Sequence, residues 1–278
     1  MLSPEILADL LPSKILGESL YIFEAINSSN TFALDLARKG AQQGTVVLAD
    51  AQTAGRGRLQ RSWFSPPGTN IYGSLIFSCS TSPLRMGWIP LMAGLAITQA
   101  IEKATNIKSS LKWPNDILVD EHKVGGILCE SFKQNSGETC VAIGFGINVN
   151  LPKTALPPEL MEIATSLQIH ANQAFDRHQL LKFIIPAVEE GWEELMAKGP
   201  KSCRSAYHQR CSTIGRQILV EFPDGKSQEG IAASIGEQGQ LQMSPFPSST
   251  RGESAKILNV HAGDIRHIRN SHYAKTNN

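Results

Sequence analysis

Across 278 residues the chain is 41% hydrophobic and 18% charged, a balance that excludes a disordered polyelectrolyte and gives length for about two folded domains. Twenty-six Lys and Arg against 25 Asp and Glu leave a net +1, so no global basic field draws the chain to DNA. The longest apolar stretch, Ile89 to Ile101, is broken by Pro90, Gly94 and Gln99 and falls short of the ~20 residues that span a bilayer; with neither a basic head nor a cleavage site at its start, the protein is expected to be cytoplasmic, without a membrane partner.

In chain order, Ile6-Leu7 and Leu10-Leu11 suit a turn or two of helix within residues 1–19, and Tyr21-Ile22-Phe23 reads as a strand. Asn27, Ser28, Ser29 and Asn30 open a helix that ends near Gly40. Strands at Thr45–Leu48 and Ile71–Ser78 flank a stretch rich in Gly, Arg and Pro. At about twenty residues, such a loop in a compact domain is more often functional than idle. Helical periodicity runs from Arg85 to Thr105, followed by strands at Leu111–Trp113, Ile117–Val119, Val124–Phe132 and Thr139–Val149. After a loop with Pro152, Pro157 and Pro158, a helix is predicted from an Asp176 N-cap to Ala197. Leu181, Ile184, Ile185, Val188, Trp192 and Leu195 share its apolar face, and Pro186 should kink it.

Beyond Thr213, short alternating strands punctuated by Asp224-Gly225, Gly230, Gly236, Gly239 and Gly263 predict a small all-β barrel or sandwich. The expected division is therefore 1–212 and 213–270. Strands that follow one another directly make the larger part α+β, with a mixed sheet and flanking helices, rather than doubly wound. Five cysteines without a CxxC pair, and seven histidines without HExxH spacing, point to buried reduced thiols and no protein-held metal. A magnesium ion carried in with a phosphate ligand needs little sequence signature.

Gln52-Thr-Ala-Gly-Arg-Gly-Arg58 follows a strand and alternates two devices. Glycine lets backbone approach a ligand closely, and the planar arginine fork suits carboxylate and phosphate oxygens. Alone, it reads as a solvent-exposed basic turn, and GxxxxGK[ST] is absent. Three further segments shift that reading. Lys112-Trp113-Pro114-Asn115-Asp116 puts a lysine at a strand end before a proline-fixed turn. Lys123-Val-Gly-Gly-Ile-Leu-Cys-Glu130 begins a strand with glycines, and Gly144-Phe-Gly-Ile-Asn-Val-Asn150 ends one with the same device.

Taken in order, SSN at 28–30, Gln52 with GRGR at 55–58, WFSPPGTN at 63–70, KWPND at 112–116, KVGGILCE at 123–130 and GFGINVN at 144–150 closely resemble the biotin protein ligases, also called biotin–[acetyl-CoA-carboxylase] ligases. The resemblance covers roughly Leu16 to Arg269. It implies a catalytic domain like those of class II aminoacyl-tRNA synthetases, followed by a small SH3-like β-barrel. It also implies a two-step ligation. Biotin's carboxylate attacks the α-phosphate of ATP to give biotinyl-5′-AMP and pyrophosphate; a lysine of the biotin carboxyl carrier protein of acetyl-CoA carboxylase then displaces AMP. Bringing a carboxylate onto a polyanion requires fixed cations, which Arg56, Arg58, Arg61 and Lys112, with Mg2+, can supply. No nucleophilic side chain is needed.

By the same resemblance, Ser28, Ser29, Asn30 and Gln52 bind biotin, their polar groups meeting its ureido ring. Arg56, Gly57 and Arg58 form the loop that closes over biotin and adenylate. Lys112 contacts the reacting carboxylate and phosphate, and with Arg58 carries the electrostatic catalysis. Trp63 packs on the nucleotide, Lys123 reaches phosphate oxygens, and Asn148 and Asp116 help place nucleotide or metal. Two positions depart from the family's usual GRGRRGR: Leu59 and Gln60 replace an arginine and a glycine, which lowers local charge and backbone freedom.

About 20 residues before the first strand leave no length for the winged helix-turn-helix of the family's DNA-binding regulators, so a monofunctional ligase is expected. A lipoate- or octanoate-transferring relative shares the fold, but GRGR beside KWPND favours biotin. A catalytically dead biotin-sensing module sits poorly with retention of both Arg58 and Lys112. The sequence selects neither a monomer nor an oligomer.

Overall fold

The computed structural model describes residues 2–3, 5–7, 17, 19–80, 83–222, 224–246, 257–261 and 263–267. Residues 5–7 are helical; the rest of the helix expected near the start lies outside the described residues. Seven strands form one mixed sheet: β1 (Ser19–Ile26), β2 (Thr45–Gln52), β3 (Ile71–Cys79), β4 (Ser110–Lys112), β5 (Asp116–Val119), β6 (His122–Lys133) and β7 (Thr139–Ile147). Their spatial order is β1-β2-β3-β7-β6-β5-β4. Only β1 and β2 run parallel; the other adjacent strands are antiparallel.

Helices cover both faces of this sheet, which is why its central strands read as unbroken apolar runs. Val46 and Leu48 of β2, Leu75 and Phe77 of β3, and Val141 and Ile143 of β7 belong to the main core. There they join the buried faces of α3 (Ile89–Thr105) and α5 (Arg177–Lys198). The alternate residues Val47, Ile76, Cys140 and Ala142 meet Ala33, Leu34 and Ala37 of α1 (Ser29–Arg38) on the other face. That period of two follows from the pleat. Each fully buried Val, Leu or Ile is worth roughly 1.5–3 kcal/mol, so the sandwich fixes the register firmly.

The helix expected over 85–105 is two: α2 (Pro83–Met86) and α3, separated at Gly87 and Trp88. Pro90 cannot donate a backbone N–H, so the second helix restarts just before it and carries it in the first turn. The short α4 (Leu167–Ala171) precedes α5, whose N-cap Asp176 accepts from His178 N–H; α5 runs as one helix through Pro186 to Lys198. α6 (Arg204–Arg210) follows. Trp113, expected inside a strand, lies just past the end of β4.

The remaining strands are β8 (Gln217–Glu221), β9 (Ser227–Ile235), β10 (Leu241–Pro245), β11 (Leu258–Val260) and β12 (Asp264–His267). They form a separate antiparallel sheet ordered β11-β10-β9-β8-β12, the expected small SH3-like module. Two indoles clasp it to the larger unit: Trp88 Nε1 donates to the Glu237 carbonyl and Trp113 Nε1 to the Gly239 carbonyl, both at 2.9 Å.

Candidate active site

Pairing places Gln52, Ile71, Ile147, Gly125, Asp116 and Lys112 along one margin of the large sheet. The scattered motifs therefore converge because each sits at the strand end on that margin. They enclose a cleft of about 240 Å³.

One end of the cleft is polar. Ser29 and Asn30 reach it from the start of α1, and both are buried. Gln52 is committed on both sides: its Oε1 accepts from Ser29 N–H at 2.8 Å, and its Nε2 donates to Ser65 Oγ at 3.0 Å. Ser74 Oγ donates to Ser29 Oγ at 2.9 Å, which leaves the Ser29 hydroxyl hydrogen for another acceptor. Asn30 Nδ2 donates to Glu130 Oε2 at 2.5 Å, whereas Asn30 Oδ1 is buried with no partner. This end thus offers one donor beside one acceptor.

The middle is cationic. Arg56, Gly57 and Arg58 stand on a loop that folds back on itself, with Gly57 N–H on the Arg61 carbonyl and Trp63 N–H on the Gly55 carbonyl. Arg56 pairs with Glu130, Arg61 with Asp264 at 2.5 Å, and Lys123 with Asp116 at 2.6 Å. Arg58 donates to Asn115 Oδ1 at 3.4 Å. Burial lowers its pKa, yet a guanidinium remains charged. Arg61 is shifted upward by its hydrogen bond to Asp264.

The floor is Trp63. Its ring lies against Gly126 and Gly146, with Lys123 Nζ 5.2 Å from the ring centroid. A Cβ on Gly146 would stand 2.5 Å from Trp63 Nε1, so only glycine leaves the indole its seat. That Nε1 is buried without an acceptor. Beyond it, Leu151, Leu156, Leu160 and Ile163 form an apolar wall.

A polar pair, a cation cluster and an apolar wall in one cleft suit a ligand with a hydrogen-bonding head, an anionic centre and a flat ring. Residues 22–148 match the Biotin/lipoate A/B protein ligase family. The chain is 34% identical over 231 residues to the bifunctional ligase/repressor BirA of Bacillus subtilis, covering 83% of this chain and 71% of that protein. It is 32% identical over 247 residues to the biotin–[acetyl-CoA-carboxylase] ligase of Mycobacterium tuberculosis, covering 87% and 86%. The chain belongs to the biotin protein ligase family. The biotin protein ligase from Aquifex aeolicus in complex with biotin and ATP is similar throughout, with a TM-score of 0.74 at 25% identity over 91% of this chain and 100% of that one.

Most residues singled out in this biotin ligase sequence meet in the cleft: Ser29, Asn30, Gln52, Arg56, Gly57, Arg58, Trp63, Asp116, Lys123 and Asn148 all line it. Two do not. Ser28 caps α1, its hydroxyl accepting from Thr31 N–H, and stands outside the lining. Lys112 stands outside the lining, opposite Asp116 across the β4–β5 pair, and Lys123 is the lysine that lines the cleft. Burial lowers the Lys112 pKa, against the upward pull of Asp116 and Asp264. Asn148 is largely occupied: Nδ2 donates to the Thr165 carbonyl and Oδ1 accepts from Asn70.

Sequence reasoning missed several participants. Asp264 comes from β12, 203 residues from its partner Arg61, and carries no motif. Glu130 ends the KVGGILCE motif, whose spacing does not disclose its partners Asn30 and Arg56. Leu156, Leu160 and Ile163 sit in a segment read only as a proline-rich loop. A buried Arg177–Asp50 pair at 2.7 Å also supports the site from outside: Arg177 donates to the Asn70 carbonyl, and Asp50 accepts from Gly68 N–H.

Proposed function

We propose that this chain is an ATP-dependent ligase that converts biotin to biotinyl-5′-AMP and transfers the biotinyl group to a lysine of a biotin carboxyl carrier protein. The observation that carries this reading is the donor–acceptor pair of Ser29 and Asn30 at one end of a cleft whose middle holds Arg58, Arg61 and Lys123. A ureido ring presents a C=O beside an N–H, the complement of that pair. Biotin's valeryl chain then carries its carboxylate toward the cations, and the apolar wall beyond Trp63 has the character an adenine face requires.

In the first step a carboxylate oxygen bonds to the α-phosphorus as the bond to pyrophosphate breaks. Arg58 and Lys123 lower the repulsion between the two anions, and Lys112, at the adjoining strand end, adds positive potential. In the second, the acceptor amine attacks the carbonyl of the mixed anhydride and AMP departs. Among the described residues no three His, Cys, Asp or Glu gather to hold a metal, and both cleft carboxylates already engage cations. Mg2+ would be carried in by the nucleotide's phosphates. No helix among the described residues is long and apolar enough to cross a membrane.

The test is pyrophosphate exchange into ATP with each acid in turn. Biotin should stimulate it and lipoate should not; the reverse would move the chain to the lipoate branch. Lys123→Ala should slow exchange by at least ~100-fold, the scale of removing one transition-state charge contact, and Lys112→Ala, which removes a neighbouring positive charge, should slow it as well. Near-normal exchange in Lys112→Ala would remove that residue from the mechanism.

A further inference from the structure

Glu130 ends the KVGGILCE motif on β6, half-buried beside the cleft, and a single carboxylate oxygen does two things. Its Oε2 accepts from Asn30 Nδ2 and pairs with Arg56 of the loop. An amide side chain can turn either its oxygen or its nitrogen to a ligand, and the two choices read opposite ligand groups. An ionised carboxylate only accepts, so Glu130 captures the NH2 and leaves Oδ1 on the other side. There Asn30 Oδ1 rests against Gly144, where a Cβ would stand 2.7 Å away. Asn30 and Gly144 both line the cleft, and this buried oxygen has no partner. A buried acceptor left unsatisfied costs free energy, which a ligand N–H recovers.

We propose that Glu130 is a positioning residue that fixes Asn30 as a hydrogen-bond acceptor, and so makes the head-group end of the cleft selective for a ligand with an N–H at that point. The inference rests on the reading of this end as the ureido subsite. It assigns Glu130 no contact with biotin: selectivity reaches the ligand through Asn30. The Arg56 pairing is a separate duty of the same carboxylate, and the conservative variant separates the two. Glutamine keeps an acceptor for Asn30 Nδ2, because the Arg56 guanidinium that shares this oxygen can only donate and so holds the amide oxygen, not its nitrogen, at that point, while the negative charge is lost; leucine loses both.

The experiment measures binding by calorimetry for biotin and for its two lactam analogues, in each of which one ureido N–H is replaced by CH2. In the wild type, the lactam lacking the N–H that faces Asn30 should bind at least ~10-fold more weakly than biotin. Glu130→Leu should bring that ratio within about threefold while kcat for exchange at saturating biotin changes much less than KM, and Glu130→Gln should restore the ratio. Should Glu130→Leu fail to fold in a thermal melt, Glu130→Ala serves the same comparison. A wild-type ratio retained in the leucine or alanine variant overturns the proposal, as does loss of the ratio in Glu130→Gln, which would make charge and not acceptor geometry decisive. A wild type that binds neither biotin nor lactam overturns the ureido reading itself, and this inference with it.

Discussion

Gly146 shows how tightly one residue governs the site. Its missing side chain is the space that Trp63 fills, with Nε1 at 2.5 Å and Cε2 at 2.6 Å from where a Cβ would be. Both neighbours are ring atoms of a packed indole, so the ring must leave its seat or β7 must shift. Overpacking of this kind costs about 1–3 kcal/mol. Gly146→Ala should therefore keep the fold, lower the exchange rate by ~10-fold or more, and shift the tryptophan emission. Unchanged emission and rate would mean that the cleft floor tolerates a methyl group. The glycines of GFGIN could be marked in the sequence as places of close approach, but the body approaching at Gly146 is a side chain 83 residues away, which the sequence alone does not name.

At the scale of elements, periodicity revealed strands by their buried cores and lost them where polar side chains have distant partners. Thr45–Leu48 was legible because four apolar or β-branched residues run together; β2 continues to Gln52. Asp50 lies inside that extension because Arg177 neutralises it from the start of α5. The GRGR loop was legible as ligand-facing through its residue types, whereas its fold was not. Leu59 and Gln60 adopt φ of 54° and 60°, the left-handed region that favours glycine. The loss of glycine at position 60 therefore has a conformational cost in addition to the lost arginine at 59. Left-handed backbone costs an ordinary residue roughly 1–2 kcal/mol, partly offset by the extra unfolded-state entropy of glycine. Gln60→Gly should then stabilise the protein by about 0.5–1 kcal/mol in urea unfolding, with biotin binding retained. Destabilisation would show that the Gln60 side chain supports the loop in a way its backbone angle does not disclose.

Over the whole molecule, the β module reaches the site by two routes. Asp264 at the start of β12 holds Arg61, and His267 at its other end holds the strand end that carries Lys112 and Trp113. Thr213 Oγ1 accepts from Trp113 N–H and lies 3.1 Å from His267 Nε2; Arg216 Nη1 stands 3.4 Å from His267 Nδ1. A guanidinium can only donate, so Nδ1 is the acceptor and Nε2–H the donor, the neutral imidazole. Burial, then the positive charges of Lys112 and Arg216, lower the His267 pKa to about 4, against the opposing pull of Glu121. The unfolded chain takes up this proton near pH 6.5 and the folded chain only near 4, so the unfolded state binds more protons between those values. Stability is therefore lost as pH falls through that window and is fully present above it. His267→Gln keeps a donor for Thr213 and cannot titrate. Its urea midpoint should decline less steeply than the wild type's between pH 6.5 and 4, and exchange at the acid end should fall less with it. Parallel declines in the two proteins would mean that other groups set the acid limb and that β12 is held independently of its histidine.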